Sequence, residues 1–239
     1  AGAVDGGKFL AEDAAIGEGL GDSGADGALR EGWQRFVAHG GDLSRRGFAR
    51  AEASIDRQIH ENGITYNVYA TGDGPGRPWT LDVLPLLVQP EEWESLSVGL
   101  RQRARLLNAI AADLYGPQHL LHEGLIPPAL VFGHPGFLRA CHGVQPPSGQ
   151  FLHLAAFDLA RGPDGQWRVV GVRTQAPSGA GYALENRATL SRLFPEAYRA
   201  LGVAPLAPFF ETVRTMLLSQ APAGPDTPHV VLLTPGPYN

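Results

Sequence analysis

The sequence predicts an α+β fold in which helices pack an antiparallel sheet. Three observations carry that reading. The first is the stretch Gln150–Arg187, QFLHLAAFDLARGPDGQWRVVGVRTQAPSGAGYALENR. Its apolar runs, Phe151–Leu159 and Trp167–Val172, favour pleated, half-buried strands. Asp164-Gly165 between them supplies the chemistry of a tight hairpin turn. The second is a long helical stripe over residues 90–115, in which Trp93, Leu96, Leu100, Leu107, Ala111 and Leu114 keep a period of about 3.6. The third is the loop APSGAG, which needs permissive backbone angles and ends where a helix can start, at Tyr182 or Ala183.

The remaining elements follow in order. Residues 1–42 read as a weakly ordered segment: 1–30 are rich in Gly, Ala and Asp and read as mostly disordered or weakly helical, and Trp33, Phe36 and Val37 make one short amphipathic turn. Residues 43–239 read as one partial domain. Ser44 can cap a helix over about 45–61, with Phe48, Ala51, Ile55 and Ile59 on one face and Asn62-Gly63 at its end. ITYNVYA then alternates like a strand. The prolines of RPWTLDVLPLLV favour an extended or irregular segment. Within it, Arg77 and Asp82 read either as an ion pair over Trp79 or as ligand-facing groups. Pro90 suits the first helical position of the long stripe, Glu91 and Glu92 suit the positive end of its dipole, and Gly116-Pro117 stops it. Arg101, Arg103 and Arg105 read as its solvated or ion-paired face. Amphipathic helices are also expected over about 183–193 and 207–219, and a last strand at about 229–234.

Composition narrows the functional classes. The 239 residues can bury a core, and 44% hydrophobic with 18% charged residues is ordinary for a globular protein. A net charge of −5 argues against a general nucleic-acid or acidic-membrane surface. No apolar run approaches the roughly 20 residues of a membrane span. The single Cys141 excludes an internal disulfide framework, and a cytoplasmic location fits. His134, His142 and His153 are too irregularly spaced for a zinc site and read as hydrogen-bonded scaffold. A chain that starts on Ala1 and ends on a strand and a Gly-Pro turn is expected to be a fragment of a larger unit.

Functional polar groups collect around the hairpin: Asp158, Arg173, Ser178, Glu185, Asn186 and Arg187. A hairpin that feeds a Gly-rich loop and a helix N-terminus can hold a phosphate. Six phrases spread over roughly three quarters of the chain sharpen this: ITYNVYA, RPWTLDVLPLL, LLNAIAADLYGPQHLLHEGLIPPALVFGHPGF, HLAAFDLAR, APSGAGYALENR and VVLLTPGPYN. In kind and order they resemble the circularly permuted ATP-grasp type 2 family of bacterial proteins.

That resemblance implies an ATP-grasp fold with ATP between two subdomains, here incomplete. It implies carboxylate–amine ligase chemistry, in which ATP phosphorylates a carboxylate and an amine attacks the acyl phosphate. The implied cofactors are ATP and Mg²⁺, and the partners are small-molecule or peptide carboxylates and amines. Missing C-terminal parts of the same polypeptide would supply the other half of the nucleotide cleft, so this stretch alone is expected to be inactive. Carried over, Asp158 and Glu185 are the metal-site candidates and Arg173 and Arg187 the catalytic ones. Ser178, Gly179, Arg77 and Asn186 are the nucleotide-binding candidates. Asp158, Arg173, Ser178 and Arg187 are expected to line one cleft. Val172 stands where long family members carry an acid, and Val172→Asp is expected to strengthen magnesium-dependent binding. This departure leaves three readings: a ligase module, a degenerate ATP-grasp domain serving as a nucleotide-binding or scaffold module, or a globular domain without a site.

Overall fold

A computed structural model describes residues 29–66, 77–162, 164–221 and 227–231. It divides into two compact units. Unit 1 comprises residues 1–89, 180–205 and 234–239, and unit 2 comprises 90–179 and 206–233. Among the described residues there are two antiparallel pairs of strands, so the chain is an α+β arrangement of helices and paired strands.

Unit 1 holds helices α1 (Glu31–His39), α2 (Arg45–Glu61), α6 (Ala180–Leu193) and α7 (Pro195–Leu201), and the short pair β1 (Thr65–Tyr66) and β2 (Arg77–Pro78). Ser44 caps α2 as its position in the sequence indicates, its Oγ accepting from the Gly47 N–H at 3.2 Å. Ala51, Ile55 and Ile59, four apart, form the buried face of α2. Gly63, at φ +62°, turns the chain out of the helix. The weakly ordered segment expected over 1–42 lies partly outside the described residues. In its described part α1 is a full helix, and Trp33 and Phe36 are buried. Their rings meet edge to face at 5.4 Å, and Phe36 meets Phe194 the same way at 5.1 Å. Two aromatic anchors against α7 thus order a helix that its Gly-rich surroundings disguise. Of the strand expected in ITYNVYA, residues 64–66 fall among the described residues, and Thr65–Tyr66 of these pairs with Arg77–Pro78.

Unit 2 holds α3 (Pro90–Leu114), the short helices α4 (His119–His122) and α5 (Pro128–Phe132), the hairpin β3 (Ala156–Arg161) and β4 (Trp167–Arg173), and α8 (Ala207–Ser219). The bounds of α3 agree with the sequence reading. Its apolar stripe does not form the enclosed core that the periodicity suggests: no residue of α3 is fully buried, and Trp93 is 56% exposed. Leu96, Leu100, Leu107, Ala111 and Leu114 are half-covered. Past Leu114 the Asp113 carboxylate accepts from the N–H groups of His119 and Leu120 at 2.9 and 3.0 Å, which fixes the start of α4. Tyr115 stacks on Phe137 at 5.0 Å and on Phe151 at 6.2 Å.

The first strand of the hairpin starts at Ala156 rather than near Phe151. Asn108 Oδ1 on α3 accepts from the N–H groups of both Phe151 and Leu152, at 2.9 and 3.0 Å, so those donors are committed to the helix. The strand expected at 229–234 is absent from its described part: residues 227–231 are exposed and without regular structure, and 232–234 lie outside the described residues.

Candidate functional site

Unit 2 presents the hairpin candidates. β3 and β4 are antiparallel, with Asp158 opposite Gly171 and Ala156 opposite Arg173, the register that a turn at Asp164-Gly165 sets. A bulge follows between Asp158 and Leu159 and shifts the register by one residue toward the turn. The turn is held by Asp164, whose carboxylate accepts from the Gln166 N–H at 3.1 Å and from both terminal nitrogens of Arg168 at 3.0 and 2.6 Å. The Arg168 guanidinium, then the Gln166 amide, pulls the Asp164 pKa down to about 2. Gly165 takes φ +74°, which suits a residue without Cβ.

Opposed residues of an antiparallel pair share a face, and alternate residues of a strand share it too. Asp158, Gly171 and Arg173 therefore share one face, and Phe157 and Val172 share the other. Arg173 reaches diagonally to Asp158, Nη2 to Oδ1 2.6 Å, with both side chains about half exposed. A Cβ built on Gly171 would stand 2.8 Å from Asp158 Oδ2, so the carboxylate lies over the bare backbone of Gly171. An acid at position 172 would project away from Asp158, and the expected gain in magnesium binding from Val172→Asp loses its geometric basis. Farther along, Ser178 and Gly179 are exposed, Gly179 at φ +114°. The Ser178 hydroxyl has no hydrogen-bond partner among the described residues.

Unit 1 holds the other candidates on α6. Tyr182, Glu185 and Asn186 stand three and four residues apart and so occupy one helical face. Trp79 stacks on Tyr182 with ring centroids 4.5 Å apart. Its Nε1–H donates to Asn186 Oδ1 at 3.0 Å, which orients that amide. Asn62 Nδ2 donates to Glu185 Oε1 at 2.7 Å. Arg187 Nη1 donates to the Ala204 carbonyl at 2.7 Å. Arg77 contributes its backbone to β2, and its side chain lies outside the described residues.

Behind this face lies a cavity of about 320 Å³ within unit 1. Phe36, Leu87, Leu190 and Val203 give it apolar walls, and Asp82, Asn186, Arg187 and Tyr198 add polar groups. Asp82 Oδ1 accepts from the Leu84 N–H at 3.0 Å. Burial raises the Tyr198 pKa, with the Arg187 charge acting against it, so the phenol stays protonated at neutral pH. Sequence reasoning missed this cavity, Tyr198 and Asn62. The spacing of Tyr182, Glu185 and Asn186 was the available signal.

Asp158, Arg173, Ser178 and Gly179 thus belong to unit 2, whereas Arg77, Glu185, Asn186 and Arg187 belong to unit 1. Among the described residues no group of three His, Cys, Asp or Glu side chains could hold a metal ion. Asp158 is paired with Arg173, and Glu185 accepts from Asn62. These acids as arranged do not fit a ready Mg²⁺ site, which takes one or two carboxylates open to the ion. Two histidines are scaffold as expected: His142 Nε2 hydrogen-bonds with the Gly116 carbonyl at 2.9 Å, and His134 Nδ1 accepts from the Gly136 N–H at 3.0 Å. Among the described residues no helix is long and apolar enough to cross a membrane.

Comparison with known proteins agrees with the phrases quoted from the sequence. An uncharacterized protein of Mycobacterium tuberculosis is 41% identical over 223 residues, covering 90% of this chain and 25% of its own length. An uncharacterized Synechocystis protein is 36% identical over 193 residues, covering 77% of this chain and 40% of its own. For an uncharacterized Mycobacterium leprae protein the identity is 35% over 191 residues, 80% of this chain and 33% of the relative. The chain therefore spans a quarter to two-fifths of the length of the curated relatives it matches. Residues 85–239, well over half of the chain, match the description of one family, and on that match this protein belongs to the circularly permuted ATP-grasp type 2 family.

Proposed function

We propose that this chain is part of an ATP-dependent carboxylate–amine ligase that works through an acyl phosphate. Family membership over residues 85–239 carries the reading. ATP, with magnesium, would supply the phosphoryl group that activates the carboxylate. The chain's own residues would bind and orient the anionic reactants. Arg187 has no carboxylate partner among the described residues, which leaves its charge available to an anionic group. Arg173 is available only when it releases Asp158. Ser178 and the Gly179 backbone are open to a phosphate oxygen.

The test uses the full-length polypeptide with ATP, Mg²⁺ and panels of carboxylates, with hydroxylamine in place of the amine. A ligase of this type forms hydroxamate and releases ADP and phosphate only when a carboxylate is present. Label from an ¹⁸O-carboxylate would appear in the released phosphate. Hydrolysis of ATP without hydroxamate or label transfer rejects the acyl-phosphate route.

The second reading is a degenerate, non-catalytic domain that binds nucleotide or serves as a scaffold. The Asp158–Arg173 pair favours it, because the one acid on the expected strand is paired with a cation of the chain itself. On that reading the full-length protein either binds ATP with the same affinity with and without Mg²⁺, as a nucleotide-binding module, or binds none, as a scaffold.

A further inference from the structure

The unit 1 cavity carries two opposite charges that do not meet. Asp82 and Arg187 both line it, and neither forms an ion pair with the other or with any described residue. Asp82 spends one oxygen on the Leu84 N–H. Arg187 spends one donor on the Ala204 carbonyl, and its other N–H groups have no acceptor among the described residues. Asn186 is held by Trp79 through its oxygen, and its Nδ2 donors likewise have none. The walls between are leucine, valine, proline and phenylalanine.

We infer that this cavity is a subsite for a zwitterionic α-amino acid with an apolar side chain. Arg187 takes the α-carboxylate, with Asn186 Nδ2 and the Tyr198 hydroxyl as further donors. Asp82 takes the α-ammonium. Leu87, Leu190 and Val203 receive the side chain. A guanidinium is suited to a carboxylate because its fork matches the two oxygens. A simple carboxylic acid gains only the Arg187 end and meets the Asp82 charge, and a simple amine gains only the Asp82 end and meets the Arg187 charge. A molecule with both charges satisfies both ends. The volume of about 320 Å³ sits at the small end of the range for ligand sites and suits one amino acid rather than a nucleotide.

In role this deepens the ligase reading, since it names the class of an amino-acid substrate. In test it stands apart, because binding is read without ATP. L-leucine is titrated into the full-length polypeptide by calorimetry, next to leucinamide, which lacks the carboxylate, and 4-methylpentanoate, which lacks the ammonium. Leucine is expected to bind, and each analogue to bind about tenfold or more weakly. Arg187→Gln should erase the preference for leucine over leucinamide. Asp82→Asn should erase the preference over 4-methylpentanoate, while the asparagine Oδ1 still accepts from Leu84. Ala183→Leu, at an exposed helical position on the cavity wall, should block leucine with the helix intact by circular dichroism. If leucine fails to bind the folded wild type at millimolar concentration, or both analogues match it, the assignment is overturned whatever the variants do. Leucine binding without hydroxamate formation would reject the ligase and keep the subsite. Hydroxamate formation without leucine binding would do the reverse.

Discussion

Arg173→Gln and Val172→Asp probe the two faces of the hairpin and should behave in opposite ways. The Asp158–Arg173 pair is exposed by 61% on the arginine and 46% on the aspartate. Solvent screening leaves such a pair about 0.2–1 kcal/mol. Arg173→Gln should therefore cost less than about 1 kcal/mol of stability. The same ceiling limits the gain in cation binding. Releasing Asp158 raises its affinity for a divalent ion by no more than about fivefold, the equivalent of ~1 kcal/mol. Val172 is 37% exposed, so about two-thirds of its side chain is covered. Full burial of a valine stabilises by roughly 1.5–3 kcal/mol, so an aspartate there should cost about 1–2 kcal/mol. Its carboxylate would stand beside Phe157, away from Asp158, and should leave Mg²⁺ affinity unchanged. Thermal unfolding reads the stabilities, and a Mg²⁺ titration followed at the amides of 157–159 and 171–173 reads the affinities. A Val172→Asp variant that binds Mg²⁺ about tenfold more tightly, with Arg173→Gln unchanged, would refute the assignment of faces.

Three further outcomes follow from burial and charge. Ile55→Ala removes a side chain that is 1% exposed and should cost about 2–5 kcal/mol, whereas Leu106→Ala, 60% exposed, should stay within about 0.5 kcal/mol; denaturant titration of both variants checks this. Asp164 has a folded pKa of about 2, below the roughly 3.9 of an unfolded aspartate, so its contribution is complete above pH ~4 and is lost as pH falls from about 4 toward 2. Asp164→Asn should flatten stability over that window, measured by melts at stepped pH. The Thr189 hydroxyl is buried with no partner among the described residues, so Thr189→Val should raise stability by about 1 kcal/mol, seen as a higher melting temperature.

The locally encoded parts of this fold were readable in the sequence. The cap at Ser44, the stop at Asn62-Gly63 and the bounds of α3 and α8 each depend on neighbours within one helical turn. The hairpin register followed from counting outward from Asp164-Gly165, and it holds from Asp158 outward, while the pairs between the bulge and the turn are shifted by one residue. The misread start of β3 has a long-range cause, since Asn108 lies 43 residues from the amide it claims. The unit 1 face was equally out of reach: Asn62 and Glu185 are separated by 123 residues, and Trp79 and Asn186 by 107. Local pattern names the elements, whereas contacts of that span are fixed only by how the elements pack. Face assignment was also lost at Val172, because a family position names a residue while strand alternation decides where it points.

The stripe on α3 shows where periodicity stops being informative. It tells which face of a helix seeks cover, but not what supplies the cover. In unit 1 the chain supplies it: every buried apolar residue among those described, except Val131, lies there. In unit 2 the stripe is only half-covered, and Trp93, Val98 and Leu106 on α3, Val170 on β4 and Phe209 on α8 are exposed. A two-stranded hairpin is marginal by itself and needs more strands or a packed helix to hold its register. The two candidate groups therefore differ in what their tests require. The Asp82–Arg187 cavity rests on a core that unit 1 itself provides, so its ligand preference should depend little on the stability of unit 2. The Asp158–Arg173 hairpin rests on a half-covered unit, so its behaviour toward a cation is meaningful only in the full-length polypeptide.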